Sequence, residues 1–218
     1  TKGISLFAVP KNNIDENLNV TDSNNVTTIG DFQKLGEKGF CTTHLAFGEK
    51  GVCKGWLVGK ENKGLSHMFQ MMNSARIDVG MKGASLSTAA YLSSLEYAKE
   101  RPQGRTISSS GNKNINSDQV NIIEHPDVKR MLMEMKSQIE AMRGLSVITA
   151  EMLDYWKKFA DTPLGKEKMM MCNLLTPILK SWCTDQSVII TSLGIQVHGG
   201  MGFIEDTGAA QYFRDSRI

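Results

Sequence analysis

The run Gly194-Ile195-Gln196-Val197-His198-Gly199-Gly200-Met201-Gly202-Phe203 holds the densest cluster of residues able to do chemistry in this 218-residue chain. An apolar, helix-like segment ends there in Gly199, Gly200 and Gly202. Without a Cβ, backbone can come close to a ligand, and consecutive N–H groups in such a turn form a concavity for phosphate oxygens. Gln196 adds a side-chain amide beside it. A glycine-rich helix C-cap followed by a turn has the same letters, so residue chemistry alone leaves both readings open. Histidine as a residue type can serve as an acid or base near neutral pH, but a lone His such as His198 on a turn commonly packs or hydrogen-bonds.

The elements that must position this turn are mostly helical. From Lys63 to Glu100, Leu65, Met68, Phe69, Met72, Val79, Leu86, Ala90 and Ala98 recur near i, i+3, i+4 spacing, which predicts one long helix stopped by Pro102 and Gly104. A second opens at Pro126 and runs to about Phe159, with Val128, Met131, Leu132, Met135, Ile139, Met142 and Leu145 on one face. Thr162-Pro163 caps a third, which runs towards Leu193 with a kink expected near Pro177. A fourth starts near Thr207. The Ser/Asn-rich stretch 108–118 reads as a low-complexity connection.

Residues 1–60 read as strands instead. Ile4–Val9 is stopped by Pro10, Thr42–Phe47 follows a turn, and Gly51–Gly59 is bounded by glycines. The Asn- and Asp-rich stretch 11–31 is expected to be a long surface loop. The fold class is therefore α+β, mainly α: strands over residues 1–60 and an incomplete four-helix bundle over 61–218.

Composition excludes several classes. The 25 basic and 23 acidic side chains give a formal charge of +2 and are interspersed, so nucleic acid is not an expected partner. Cys41, Cys53, Cys172 and Cys183 form no C-x-x-C pair, so neither a zinc site nor a disulfide scaffold is expected, and no metal is assigned. That usage fits a reducing, cytoplasmic setting. No apolar run approaches the ~20 residues of a membrane span. Thr1-Lys2-Gly3-Ile4 resembles neither a start methionine nor a signal peptide, so the chain is expected to begin within a longer protein. The thirteen methionines read as core filling rather than as a metal or cofactor box.

Gln196–Gly202 followed by Phe203-Ile204-Glu205-Asp206-Thr207-Gly208-Ala209-Ala210-Gln211-Tyr212-Phe213-Arg214-Asp215 closely resembles the acyl-CoA dehydrogenase family. The likeness extends to Gly59–Leu65, Met71–Arg76, Tyr97–Arg101 and Leu175–Asp185. Together these segments span most of residues 35–218. The wording Arg101-Pro102-Gln103-Gly104-Arg105 and Val197–Phe203 looks most like the 3-methylmercaptopropionyl-CoA dehydrogenase-like branch.

The resemblance implies a helical domain, a central β-barrel and a C-terminal four-helix bundle, of which the first domain and the front of the barrel are missing here, so that it makes the strands over residues 1–60 a partial β-barrel. It implies FAD as cofactor and oxidation of an acyl-CoA thioester to the trans-2-enoyl-CoA in fatty acid β-oxidation: a base takes the α proton while the β hydride passes to the flavin. The substrate would be 3-(methylthio)propanoyl-CoA or a fatty acyl-CoA, and the implied partners are an electron-transfer flavoprotein and further copies of the chain in a homodimer or tetramer. Residue by residue, Arg101 matches an arginine that binds the FAD of a neighbouring subunit, and Gln196, Gly199 and Gly200 match residues lining that cofactor. Gly104 and Arg105 match a segment touching it. Arg76 matches an arginine facing the substrate, with Asn73 beside it. A guanidinium fork and glycine N–H groups suit a diphosphate, although Arg101 also fits a helix C-terminus and Arg76 an ion pair with Asp78.

The base departs from the family pattern. The family's usual glutamate follows shortly after the Arg-Asp-x-x-Ile sequence, so it is expected just after Ile218, and this fragment is expected to be inactive alone. A minority of members place the base on the first bundle helix, where this chain has Ala75. Glu205 is the nearest carboxylate to the glycine turn and is a weak candidate beside its reading as a helix-start acid. Two other functions stay open: a non-catalytic assembly homologue, and an acyl-CoA oxidase.

Overall fold

The computed structural model describes residues 2–106 and 117–217; most of the connection expected over 108–118 lies outside the described residues. The chain divides into two compact units, Thr1–Ser74 and Ala75–Ile218.

In the first unit, β1 (Leu6–Ala8) pairs antiparallel with β6 (Trp56–Val58), Leu6 lying opposite Val58. β2 (Asn12–Ile14) pairs with β3 (Val20–Ser23), and β4 (Val26–Asp31) with β5 (Thr43–Phe47). The loop expected over residues 11–31 is thus corrected to three strands. Their polar residues order the backbone rather than a core. The Asp15 carboxylate accepts from the backbone N–H of Asn17 and Asn19 at 2.9 and 2.8 Å and from the Asn19 amide at 3.1 Å, closing the β2–β3 turn. The Asn19 side chain, above all, holds the Asp15 carboxyl below its ordinary pKa. Asn24 is fully buried, donates to the carbonyls of Pro10 and Lys54 at 2.8 Å each, and accepts from the Lys54 N–H at 2.8 Å. A polar sequence can form strands when side-chain amides take over the role of a hydrophobic face.

The helices follow their periodicity closely. α1 spans Gly64–Glu100, with its first turns in the first unit; α2 spans Pro126–Lys158, α3 Pro163–His198 and α4 Ala209–Ser216. Pro126 and Pro163 occupy first-turn positions, where a missing N–H costs nothing. The Thr162 hydroxyl caps α3 by accepting from the Gly165 N–H at 3.1 Å. α3 runs unbroken through Pro177. The core of the second unit centres on Met135, Met142, Leu179 and Cys183, all fully buried, so these methionines do serve packing.

Small residues set how closely α1 and α3 approach. A Cβ on Gly80 would lie 2.9 Å from Leu179 Cγ, one on Gly83 2.9 Å from the Cys183 carbonyl, and one on Gly194 3.2 Å from the Ser94 hydroxyl. Both sets of numbers ascend together, so α1 and α3 run parallel. The buried hydroxyls along this seam cost little, because each finds a carbonyl one turn back: Ser87 to Gly83 at 2.8 Å, Ser94 to Ala90 at 2.7 Å, Thr191 to Ser187 at 2.7 Å. Parallel packing brings the C-terminal ends of α1 and α3 to one end of the bundle. No helix among the described residues is long and apolar enough to cross a membrane.

Candidate cofactor-binding cleft

At that end of the bundle lies a cleft of about 750 Å³. Its walls come from the end of α1 and the segment after it (Tyr97, Arg101, Gly104, Arg105), from the start of α2 (His125, Val128) and from the end of α3 (Gln196, His198, Gly199, Gly200). The five residues expected at the cofactor, Arg101, Gly104, Gln196, Gly199 and Gly200, therefore line one cavity although 95 positions separate Arg101 from Gln196.

Backbone pairing holds the α1 side. Past Glu100 the chain turns back against residues 120–122: Ile122 donates to the Arg101 carbonyl at 2.9 Å, Gln103 to Val120 at 2.9 Å, and Val120 to Gly104 at 3.2 Å. Gly104 has φ +73°, and a Cβ there would come within 3.3 Å of the His125 ring. His125 Nε2 lies 2.7 Å from the Gln103 carbonyl, an acceptor, so this nitrogen carries the proton. The segment bearing Arg101 and Arg105 is thereby anchored to the first turn of α2.

The α3 side is held by the glycine turn folding back on its own helix. Gly199 ends the helix at φ +58°, ψ −138°, a conformation that is nearly glycine-only. A Cβ on Gly202 would meet the Ile195 carbonyl at 2.3 Å, so the turn folds tightly back on α3. In contrast, a Cβ on Gly199 or Gly200 would meet nothing within 4 Å, and that side of the backbone is open to an incoming group. The Thr207 hydroxyl donates to the carbonyls of Met201 and Ile204 at 3.1 and 2.9 Å, fastening the turn to the start of α4.

Among the described residues, the lining carries two guanidinium groups and no carboxylate. Arg101 is exposed, and so are Gln196, Gly199 and Gly200. An open glycine backbone, a side-chain amide and two forked cations form a donor set for a diphosphate-bearing ligand. Among the described residues, no group of three His, Cys, Asp or Glu side chains is placed to hold a metal.

The other candidates lie elsewhere. Arg76 is half-buried on α1, and the 24 residues from it to Glu100 place it roughly 36 Å along the helix axis from the cleft. Asn73, also half-buried, belongs to the first unit. Glu205 is exposed and forms a two-pronged pair with Arg214, Nη1 to Oε1 and Nη2 to Oε2 at 2.8 Å each. Tyr97 and His125 line the cleft without having been singled out as site residues. Tyr97 stands one helical turn before Arg101 and His125 directly before the first-turn Pro126, spacings that point to the cleft only once the helix ends are known to meet.

Fold and site together define a helical-bundle protein with a basic, glycine-backed cleft where three helix ends converge. Residues 113–218 match the family model described as the acyl-CoA dehydrogenase C-terminal domain. The whole chain is 40% identical to 3-methylmercaptopropionyl-CoA dehydrogenase of Ruegeria pomeroyi and 37% identical to a butyryl-CoA dehydrogenase of Syntrophomonas wolfei, covering 35% and 36% of those proteins. It is also 36% identical to the broad-specificity linear acyl-CoA dehydrogenase of Mycobacterium tuberculosis, again over 36% of its length. The fold superimposes on Caenorhabditis elegans ACDH-11 with a TM-score of 0.80 at 22% identity, covering 98% of this chain and 32% of that one. For butyryl-CoA dehydrogenase of Megasphaera elsdenii the TM-score is 0.68 at 23% identity, with 89% and 44% covered. Residues 113–218 thus carry an acyl-CoA dehydrogenase C-terminal domain, and the chain as a whole is similar to acyl-CoA dehydrogenases, spanning about a third of the length of the curated relatives it matches.

Proposed function

We propose that this chain is the bundle portion of a FAD-dependent acyl-CoA dehydrogenase and that its cleft receives the diphosphate and adenosine part of the FAD. The observation that carries the reading is the convergence of Arg101, Gly104, Gln196, Gly199 and Gly200 on one cavity whose described lining residues include no carboxylate. The family is FAD-dependent. FAD supplies the acceptor for the β hydride when an acyl-CoA thioester becomes the trans-2-enoyl-CoA.

The residues of this chain bind and orient. The Arg101 and Arg105 guanidiniums neutralise the diphosphate, the Gly199–Gly200 backbone admits its oxygens at close range, and the Gln196 amide offers a further hydrogen bond. Arg76, with Asn73 beside it in sequence, serves the substrate and its CoA arm at the far end of α1. Among the described residues the cleft lining holds no carboxylate, so none of these residues is assigned as the base that removes the α proton. The Arg214 pair supports reading Glu205 as a structural acid. The relatives' names favour 3-(methylthio)propanoyl-CoA or a linear acyl-CoA as substrate; an electron-transfer flavoprotein as acceptor and a homodimer or tetramer in which the cleft faces a neighbour's cofactor belong to the same reading.

The test is flavin binding by the full-length protein, followed by anaerobic addition of acyl-CoA. Bound FAD that bleaches, with Arg101→Ala weakening FAD retention, is the expected result. A folded protein that holds no flavin would overturn the reading and favour an assembly role. Re-oxidation by air as fast as by an electron-transfer flavoprotein would mark an oxidase.

A further inference from the structure

We infer that the stacked pair Tyr97–His198 is a positioning device that sets the spacing between the two halves of the anion site, the Arg101 guanidinium and the Gly199–Gly200 backbone; the inference rests on the cofactor reading above. The two rings stack with centroids 4.5 Å apart and planes 28° from parallel. Tyr97 lies four residues, about one turn, before Arg101 on α1, and its backbone carbonyl accepts from the Arg101 N–H at 2.9 Å. His198 is the residue directly before Gly199 and is 5% exposed. The stack therefore joins the last turn of α1 to the last turn of α3 immediately beneath the groups that would grip a diphosphate.

The imidazole is oriented by more than the stack. His198 Nδ1 lies 2.7 Å from the Gly194 carbonyl, which only accepts, so Nδ1 bears the proton and the ring plane is fixed against α3. Gly194 itself packs against Ser94, where a Cβ would be 3.2 Å from the hydroxyl. Ser94 thus meets Gly194 one turn below the place where Tyr97 meets His198. Two successive contacts between parallel helices define both their separation and their register at the cleft. A diphosphate must be gripped from both sides at once, so a change in separation weakens that grip even when each donor remains present.

The test uses the full-length protein stripped of flavin, with FAD affinity read by equilibrium fluorescence titration. Tyr97→Leu is expected to weaken FAD about five- to tenfold, the scale of one lost aromatic pair, whereas Tyr97→Phe keeps the stack and the affinity. The same Tyr97→Leu change made in an Arg101→Ala background is expected to cost little more, because one side of the grip is already gone. His198→Gln, which retains an amide donor for the Gly194 carbonyl but no ring, provides a second probe should Tyr97→Leu fail to fold. Affinity unchanged in a folded Tyr97→Leu or His198→Gln protein, or an equal loss with and without Arg101, would overturn the positioning role. Failure of the unmodified protein to bind FAD would instead refute the cofactor reading.

Discussion

The three glycines that follow α3 have different physical reasons for being glycine, and substituting each by alanine separates them. At Gly202 the added methyl would sit 2.3 Å from the Ile195 carbonyl and 3.0 Å from two further backbone atoms of Ile195. Backbone cannot swing away as a side chain can, so the turn must shift, at about 1–3 kcal/mol by the usual cost of overpacking. At Gly199 the methyl meets nothing, but φ +58° with ψ −138° strains any L-residue by about 1–3 kcal/mol. At Gly200 the methyl meets nothing and φ is not positive, so stability should stay within about 0.5 kcal/mol. On the proposed cofactor reading that methyl would obstruct an approaching phosphate oxygen, and losing one hydrogen bond to a charged group lowers affinity about tenfold or more. Urea unfolding of the full-length protein, read at constant m-value, gives the stability arm, and FAD titration gives the binding arm. Gly200→Ala should be the variant that binds poorly while unfolding normally. If it unfolds as early as Gly202→Ala, or if Gly202→Ala is neutral, the assignment of an open face and a packed face is wrong.

Asn24→Ala removes three hydrogen bonds in a fully buried position and strands the Lys54 N–H, so about 3 kcal/mol should be lost from the first unit, visible as earlier proteolysis of residues 1–60 in a limited digest. Burial pushes the Cys183 thiol from 9.0 up to about 11, so it should resist iodoacetamide at neutral pH while exposed Cys41 reacts, as mass spectrometry of tryptic peptides would show. Because the folded protein keeps that proton longer than the unfolded chain, the associated stability is complete below pH about 9 and declines as pH rises towards about 11; a Cys183→Ala variant should lack that part of the decline. Glu205→Gln breaks the two-pronged pair with Arg214, but Glu205 is 71% exposed, so the loss should be only about 0.5–1 kcal/mol, smaller still in high salt. A loss of several kcal/mol in a thermal melt would mean that the pair is far less solvated than its geometry indicates.

The helices were legible along the chain because their determinants are local. The 3.6-residue recurrence of Leu, Met and Ile, together with Pro126, Thr162 and Pro163, placed α1, α2 and α3 within a few residues of their observed ends, since caps and amphipathic faces act over a single turn. The strands over residues 11–31 were not legible, because what orders them is Asn24 reaching Lys54, a contact 30 residues away that no periodicity records. The glycine turn and Arg101 were each visible as residues of the right chemistry, with resemblance to relatives supplying their roles. Their meeting was a tertiary matter: only the parallel packing of α1 on α3, made possible by Gly80, Gly83 and Gly194, brings the two helix ends together around one cavity. Tyr97 and His198 show the same division, since a tyrosine and a histidine 101 positions apart become a stacked pair when two helices share direction and register. Local sequence determines which segments are helices and where they stop, whereas side-chain size at the helix contacts determines which ends lie side by side, and the candidate cleft lies at those ends.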